Sequence, residues 1–296
     1  KTIAAKSGSH TQKSTSHHLP WARIDGMAPS NRTAWALVTG ASAGIGAEFC
    51  RQLAALGYSI VLVARREERL REIADRVRQE HDVECMTLPQ DLGAAGASQA
   101  IVNSLDEAGI EIEFLVNNAG FGVAGSYEEA GWEQHDQFLQ VMLNSVCELT
   151  WRLLPGMQQR GKGYIVNVAS VAGLIPGAAR NTLYGATKSF LVKFSESLAM
   201  ENTDNGVKAS ALCPGFTYSE FHDVLGVREQ VSQMPDWMWM EAEPVVAYGI
   251  ESVMRDKPRL VAVPGKANRF IAMLMRKLPL TYTQRLTQKQ SKRWRK

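Results

Sequence analysis

A tyrosine and a lysine that stand four residues apart, Tyr184 and Lys188, could together carry out proton transfer. On a helix this spacing places both side chains on one face, one turn apart. A phenol has an ordinary pKa of about 10, and a nearby ammonium group favours the phenolate and lowers that pKa. A tyrosine with a lowered pKa can exchange a proton with an alcohol near neutral pH. The pair alone is weak support for catalysis, because the same spacing occurs by chance in surface helices.

A glycine-rich turn at residues 40–46 leads into a predicted helix and indicates a nucleotide cofactor. Gly40 permits a tight turn, Gly44 lets the backbone approach a phosphate, and Gly46 allows the helix to pack closely on the preceding strand. The free N–H groups of the helix N-terminus would bind the anion. The spacing, Gly-x-x-x-Gly-x-Gly, differs from the common Gly-x-Gly-x-x-Gly fingerprint. A purely structural turn is the alternative.

Two arginines, Arg65 and Arg66, follow the second predicted strand. A site for NAD would carry an acidic residue here for the ribose 2′-hydroxyl, whereas arginines suit the 2′-phosphate of NADP. The alternative is that both arginines cap a solvated helix start, with Glu67 and Glu68 as partners. We therefore favour NADP(H). After the third strand, Asp91 could accept a hydrogen bond from the adenine amino group or act as the N-cap of the next helix.

Short apolar runs alternate with longer amphipathic stretches along most of the chain. Runs of Val, Ile and Leu are typical of strands buried on both faces. Strands that alternate with helices imply a doubly wound parallel sheet, a Rossmann-like α/β fold. We predict strands at Trp35–Thr39, Ser59–Ala64, Val83–Leu88, Ile112–Asn117, Tyr164–Ala169, Val207–Leu212 and Leu260–Val263. We predict helices at Gly44–Leu56, Arg66–Glu80, Ala94–Ala108, Trp132–Arg160, Tyr184–Asn202 and Glu243–Met254.

The chain reads as a single domain, because the alternating series has no repeat and no second copy. We place this domain at residues 33–264, with a substrate loop at 216–243 and a basic C-terminal extension at 265–296. We expect residues 1–32 to be a disordered or tag-like segment. The first part of that segment is polar and has no apolar core, so it does not resemble a secretory signal.

The net charge of +3 conceals a strong asymmetry. Residues 255–296 contain 13 Lys or Arg and one acidic residue, whereas residues 27–254 contain 16 basic and 28 acidic residues. The basic segment could contact anionic lipid or nucleic acid, or simply be solvated. The four cysteines are scattered without metal-ligand spacing, which indicates no metal site and favours a cytoplasmic protein. No apolar run is long enough to span a membrane.

At this point the sequence resembles the short-chain dehydrogenase/reductase family, in an NADP(H)-preferring branch. The similarity covers roughly Thr33–Val263, and its motifs occur in family order. Many relatives carry a threonine slightly after the Pro-Gly pair, and here Thr217 and Ser219 compete for that place. The matching motifs are Thr39-Gly40-x-x-x-Gly44-Ile45-Gly46, Asn117-Asn118-Ala119-Gly120, Asn144, Ser170, Tyr184-x-x-x-Lys188 and Pro214-Gly215.

The resemblance implies a role for each of four catalytic residues. Tyr184 would donate a proton to a carbonyl oxygen or remove one from an alcohol. Lys188 would lower the pKa of the tyrosine and hold the nicotinamide ribose. Ser170 would stabilise the substrate oxygen, and Asn144 would hold a water that links Lys188 to solvent.

The resemblance also implies cofactor contacts and an oligomer. The backbone of residues 117–120 would line the cofactor while their side chains tie neighbouring strands. Relatives commonly pair through the helices that contain Asn144 and Tyr184, so a homodimer or homotetramer is expected. The expected cofactor-binding residues are Gly40, Ser42, Ala43, Gly44, Ile45, Gly46, Arg65, Arg66, Asp91, Asn118, Ala119, Gly120, Tyr184, Lys188, Pro214, Gly215 and Thr217.

Aromatic residues and methionines crowd the loop at 216–243, which follows the sixth strand near the ligand-binding edge of the sheet. Such side chains suit an adaptable apolar pocket or lid; the alternative is a satellite cluster or a subunit contact. We expect a moderately apolar ketone, aldehyde or alcohol as substrate, and a surface or pocket-lining role for His222. The residues concerned are Phe216, Phe221, Val224, Leu225, Met234, Trp237, Met238, Trp239 and Met240.

Beyond the domain, Asn268–Leu280 interleaves apolar and basic residues. It could lie on a membrane surface as a basic amphipathic helix, or cover the substrate site or a partner subunit. We expect an NADP(H)-dependent oxidoreductase that interconverts a carbonyl and an alcohol. The alternative is a catalytically silent dinucleotide-binding scaffold or sensor. Nucleic-acid binding would rest on charge alone, since no recognisable module is present.

Overall fold

The structure is a computed structural model that describes residues 34–180, 182–220, 235–279 and 281–285. Its strands are β1 (Trp35–Thr39), β2 (Ser59–Ala64), β3 (Cys85–Pro89), β4 (Ile112–Asn117), β5 (Gly163–Val168), β6 (Val207–Leu212), β7 (Phe216–Thr217), β8 (Trp239–Met240) and β9 (Val261–Ala262). Its helices are α1 (Gly44–Ala55), α2 (Glu67–His81), α3 (Ala97–Glu107), α4 (Trp132–Leu139), α5 (Ser145–Gln159), α6 (Thr182–Glu201), α7 (Ala242–Met254) and α8 (Lys266–Lys277).

Seven of the strands form one parallel sheet in the order β3-β2-β1-β4-β5-β6-β9. The chain order reverses between β1 and β4, and the loops after these strands diverge there. In a doubly wound sheet this switch point opens a crevice at the carboxyl ends of the strands. The predicted fold class is therefore confirmed, and the glycine turn after β1 lies at that crevice.

Both faces of the sheet are buried, because neighbouring residues of each central strand enter different apolar clusters. In β1, Ala36 and Val38 pack with α1, α2 and α7, whereas Leu37 packs with α3, α5 and α6. A strand covered on both sides needs apolar residues at every position. This explains why the strands read as continuous apolar runs.

A π-helical turn at Gln140–Asn144 interrupts the long helix that was predicted over Trp132–Arg160. Such a turn inserts one residue into a helix, and it is frequent at functional sites. It leaves the run of helix-forming residues unbroken, so the sequence pattern does not reveal it. The prediction of one continuous helix was wrong.

The third helix begins at Ala97 rather than at Ala94, and its N-cap is Gly96. Gly96 has a φ of 76°, a left-handed conformation that suits glycine. The carboxylate of Asp91 accepts a hydrogen bond from the Gly93 N–H at 2.9 Å. Asp91 therefore stabilises the preceding turn and does not cap the helix.

A small second sheet, absent from the predicted elements, pairs β7 with β8. Each strand has two residues, which is too short for a periodic signal. Three elements begin at residues other than those predicted. Strand β3 begins at Cys85 rather than Val83, β5 at Gly163 rather than Tyr164, and α6 at Thr182 rather than Tyr184. Within the described residues, no helix is long and apolar enough to span a bilayer.

Candidate active site

Tyr184 and Lys188 lie one turn apart on α6, as predicted. The Lys188 Nζ atom is 5.6 Å from the centre of the Tyr184 ring. Ser170 follows β5 and reaches the same place, where its side chain forms a hydrogen bond with Tyr184. The Ser170 hydroxyl also accepts the Ala172 N–H at 3.1 Å, which fixes the start of a short 3₁₀ turn. Strand and helix thus bring three of the four predicted catalytic residues together.

Burial holds the pKa of the Tyr184 phenol above its ordinary value, at about 12, although the hydrogen bond from Ser170 acts in the opposite direction. The predicted lowering of this pKa is therefore wrong, since the desolvation of the phenolate outweighs the hydrogen bond from Ser170. A phenol in this state keeps its proton at neutral pH. It is equipped to donate that proton to a carbonyl oxygen.

The ammonium group of Lys188 is nearly buried, with 5% of the residue exposed. It donates a hydrogen bond to the Val168 carbonyl oxygen at 2.7 Å. Burial lowers the pKa of Lys188 to about 8, because a charged group is destabilised away from water. Lys188 can therefore lose its proton at a pH only slightly above neutral.

Asn144 ends the π-helical turn, is exposed, and donates to the Gln140 side-chain oxygen at 2.8 Å. The hydrogen bonds of the described residues join it to Gln140 rather than to Lys188. Its predicted role in a water-mediated link to Lys188 remains a prediction.

The glycine turn is packed as tightly as its residues predict. A Cβ atom on Gly46 would lie 2.2 Å from the Gly40 carbonyl oxygen, so only glycine allows α1 to approach the turn this closely. Gly40 and Gly44 have φ values of 66° and 53°, the left-handed region that glycine adopts without strain. Ala43 is the N-cap of α1 and has no polar side chain with which to cap it. The first N–H groups of α1 are thus left for another acceptor.

The ends of β1 and β4 are tied together by Thr39, a residue of the glycine motif to which the sequence assigned no role of its own. Its hydroxyl accepts the N–H groups of Asn118 and Ala119, each at 3.0 Å, and donates to the Val116 carbonyl oxygen at 3.3 Å. The Asn118 side chain returns a bond to the Thr39 carbonyl oxygen at 2.9 Å. These bonds hold residues 118–120 against the glycine turn.

A buried polar network supports the crevice from below. The Asn117 amide donates to the Asn167 side-chain oxygen at 2.8 Å and to the Thr150 hydroxyl at 3.1 Å. Asn167 in turn donates to the Ser195 hydroxyl at 2.9 Å. The prediction that this motif ties neighbouring strands is therefore confirmed for Asn117, and the network extends to α6.

Arg66 contacts both the glycine turn and the segment after β7. Its Nη2 atom lies 3.0 Å from the Ser42 hydroxyl and 2.9 Å from a carboxylate oxygen of Glu220. Arg65 beside it is exposed. Arg66 is the N-cap residue of α2, as the alternative interpretation expects. Among the ion pairs of the described residues, however, neither arginine pairs with Glu67 or Glu68, and Glu67 pairs with Arg71. Glu220 is far away in sequence, so nothing in the local pattern pointed to it.

The segment after β6 closes the other side of the crevice. The Pro214 carbonyl oxygen accepts a hydrogen bond from the Val171 N–H at 2.9 Å. Gly215 packs so closely on Asn268 that a Cβ on Gly215 would lie 2.5 Å from the side-chain oxygen of Asn268. Thr217 is buried. Ser219 instead lies against the glycine turn, because a Cβ on Gly44 would be 2.8 Å from the Cβ atom of Ser219. The two residues that competed for one role thus occupy different places.

A small cavity of about 20 Å³ lies beside Tyr184, lined by residues of the loop before α4, of α4, and of the segment that leads into α6. His135 lines it and is buried; its Nε2 atom donates to the Tyr127 carbonyl oxygen at 2.8 Å. Its Nδ1 atom has no hydrogen-bond partner among the described residues. No motif in the sequence points to His135, which is a single histidine within an amphipathic helix.

A family model described as short chain dehydrogenase matches residues 34–229. The chain belongs to the short-chain dehydrogenase family. It is 36% identical over 204 residues to very-long-chain 3-oxoacyl-CoA reductase-B of Danio rerio. This match covers 67% of this chain and 64% of that relative. It is 35% identical over 190 residues to the human very-long-chain 3-oxoacyl-CoA reductase, 62% of this chain and 59% of the relative. The matches thus span less than two thirds of these relatives.

Two solved structures share the fold over most of their length. A short-chain dehydrogenase from Sphingobium yanoikuyae in complex with NADPH is 30% identical, with a TM-score of 0.72, over 83% of this chain and 97% of that one. The bulky-bulky ketone specific alcohol dehydrogenase from Comamonas testosteroni is 27% identical, with a TM-score of 0.68, over 84% and 96% of the two chains. The family predicted from the motifs is confirmed.

Proposed function

We propose that this protein is an NADP(H)-dependent oxidoreductase that interconverts a carbonyl and an alcohol on a moderately apolar substrate. The observation that carries the proposal is the hydrogen-bonded pair Tyr184 and Ser170, with Lys188 one turn away, at the carboxyl edge of a doubly wound sheet. A silent scaffold or sensor would not need a protonated phenol held beside a second hydroxyl.

In the direction of reduction, Tyr184 donates its proton to the carbonyl oxygen as that oxygen gains negative charge. Ser170 donates a hydrogen bond to the same oxygen and stabilises the developing charge. The nicotinamide supplies the hydride when it is bound. Lys188, held by the Val168 carbonyl oxygen, places a positive charge next to the phenol and orients the ribose.

The crevice fits a dinucleotide phosphate. The uncapped N-terminus of α1 offers N–H groups to the pyrophosphate. Arg66 and the neighbouring Arg65 would hold the 2′-phosphate. The Glu220 carboxylate would compete with that phosphate for Arg66, because the two anions repel each other when they lie at the same guanidinium. Asp91 keeps its proposed contact with the adenine amino group. Similarity to a relative in complex with NADPH supports this choice of cofactor.

An aromatic group covers the proposed substrate side. Tyr218 stacks on Trp239 with ring centres 4.8 Å apart, and Phe216 lies 5.4 Å from the same tryptophan. We propose 3-oxoacyl thioesters and bulky ketones as the first substrates to test, because relatives bear these names. Phe221, His222, Val224, Leu225 and Met234 lie outside the described residues.

A cofactor-oxidation screen tests the proposal. The purified protein is mixed with NADPH or NADH and with a panel of ketones, aldehydes and 3-oxoacyl thioesters. Turnover of apolar carbonyls with NADPH preferred is the expected result. Tight NADPH binding without turnover of any member would instead favour the scaffold.

We further propose that two copies pair through α5 and α6. Trp151 on α5 is 68% exposed and Phe190 on α6 is 42% exposed, and large exposed apolar side chains are typical of interfaces. Phe190 is stacked on Phe194, which gives the surface a fixed shape. A tetramer would need a second interface.

We also propose that the protein is located in the cytoplasm.

A further inference from the structure

Helix α8 exposes three large apolar side chains next to one another. Phe270, Met273 and Leu274 are 59%, 47% and 40% exposed. Their spacing of three and four residues puts them on one face of the helix. Lys266 and Lys277 stand at the two ends of the same face and are also exposed. We call these five residues the outer face of α8.

The opposite side of α8 is anchored on the domain. Asn268 and Ala272 are buried. The Asn268 amide donates to the Pro264 carbonyl oxygen at 3.1 Å, and its side chain packs on Gly215. The outer face is therefore held in one orientation, and its exposure is a property of the folded domain.

Basic residues surround the outer face. Arg269 and Arg276 run along one flank and are exposed. They border a groove of about 420 Å³ between α8 and the domain, where Arg269 donates to the Tyr248 hydroxyl at 3.4 Å. Within the described part of the chain, no carboxylate forms an ion pair with Lys266, Arg269, Arg276 or Lys277.

We propose that the outer face of α8 binds the surface of an anionic lipid bilayer. Phe270, Met273 and Leu274 enter the boundary between headgroups and acyl chains, while the lysines extend their charged ends to the lipid phosphates. The charge distribution along the sequence fits this arrangement. Residues 255–296 carry +12 and residues 27–254 carry −12, so an anionic surface attracts the C-terminal part of the sequence, which includes α8, more strongly than the part before it.

The composition of this face argues against two other occupants. A second copy packed symmetrically on it would bring Lys266 and Lys277, with the flanking Arg269 and Arg276, close to the same cations of the other copy, and like charges in contact oppose association. A nucleic-acid backbone would be bound by the cations without need of three exposed apolar side chains. A lipid surface uses both features.

Vesicle binding by the full chain tests the proposal, with phosphatidylcholine vesicles that contain or lack phosphatidylglycerol. Binding is expected only when the anionic lipid is present. The variant Phe270→Ser/Met273→Ser/Leu274→Ser is expected to bind at least roughly tenfold more weakly, because it removes the inserted apolar area. The variant Lys266→Gln/Arg269→Gln/Arg276→Gln/Lys277→Gln is expected to show a similar loss, and high salt is expected to weaken binding by the parent chain.

A matched control replaces an exposed apolar residue on α4, Trp132→Ser, and is expected to bind as the parent does. Melting temperature and light scattering check that each variant is folded and unchanged in assembly. Equal binding by the triple serine variant would overturn the proposal, since the further basic residues of 285–296 would then act by charge alone. Failure of the parent to bind anionic vesicles, or a change of oligomeric state in the triple variant, would overturn it as well.

Discussion

Burial shifts the pKa values of two neighbouring side chains of α6 in opposite directions. It raises the pKa of the Tyr184 phenol to about 12 and lowers that of the Lys188 ammonium group to about 8. The tyrosine therefore keeps its proton at neutral pH while the lysine approaches its titration range. The types and spacing of these residues predicted the site, but the direction of the tyrosine shift depends on burial, which a spacing does not contain.

The titration of Lys188 should limit carbonyl reduction at high pH. The lysine is charged below a pH of about 8, so kcat/KM for reduction is expected to be full there and to fall as the pH rises through that value. A pH profile of the purified enzyme measures this. Lys188→Arg keeps its charge to a higher pH, and any activity it retains should fall later. A profile that is flat to pH 10 in the parent would contradict the assignment.

Glu220 should compete with the 2′-phosphate for Arg66, because its carboxylate lies 2.9 Å from the guanidinium. Glu220→Gln is expected to lower the KM for NADPH, by up to roughly fivefold for an exposed ion pair, and to leave the KM for NADH unchanged. Glu67→Gln, which disrupts the separate pair with Arg71, serves as the matched control. An equal change for both cofactors would show that Arg66 does not bind the 2′-phosphate.

At the scale of elements, the regular strands could be predicted and the exceptions could not. Strands buried on both faces read as apolar runs, which is why Trp35–Thr39 and Val207–Leu212 have the predicted bounds. The π-helical turn before Ser145 leaves the helical pattern intact, and β7 and β8 are too short to show one. Contacts made by distant residues, such as Thr39 with Asn118 and Arg66 with Glu220, have no local signature either.

The approach of α1 to the glycine turn depends on Gly46. Gly46→Ala would place a Cβ 2.2 Å from the Gly40 carbonyl oxygen, so α1 must shift. The expected cost of about 1–3 kcal/mol lowers the melting temperature by several degrees, and NADPH binding should weaken with it. Gly177→Ala is the control, because a Cβ there meets no atom within 4 Å. Equal melting temperatures for the two variants would refute this account of the turn.

At the scale of the whole molecule, two surfaces remain to be matched with partners: α5 with α6, and the outer face of α8. The interleaved apolar and basic residues of Asn268–Leu280 predicted an amphipathic helix, and the structure has α8 at Lys266–Lys277. The side of α8 that faces the domain could not be predicted from the sequence. It is set by Asn268, a polar residue that binds the Pro264 carbonyl oxygen in the loop before α8.

Pairing through α5 and α6 predicts that Trp151→Glu/Phe190→Glu shifts the protein from dimer to monomer, since burying two carboxylates in an apolar interface is costly. Light scattering coupled to size-exclusion chromatography measures the mass. Trp132→Glu changes another exposed tryptophan, on α4, and should leave the mass as it is. If the parent is a monomer, or the double variant remains a dimer, the interface lies elsewhere.

The central claim is that Tyr184 is the proton donor, and one measurement tests it most directly. The rate of NADPH oxidation with the best carbonyl substrate is compared between the parent and Tyr184→Phe, with NADPH binding followed in parallel by fluorescence. We predict a loss of at least roughly 100-fold in turnover, with NADPH binding retained. Near-normal turnover by Tyr184→Phe would contradict the account.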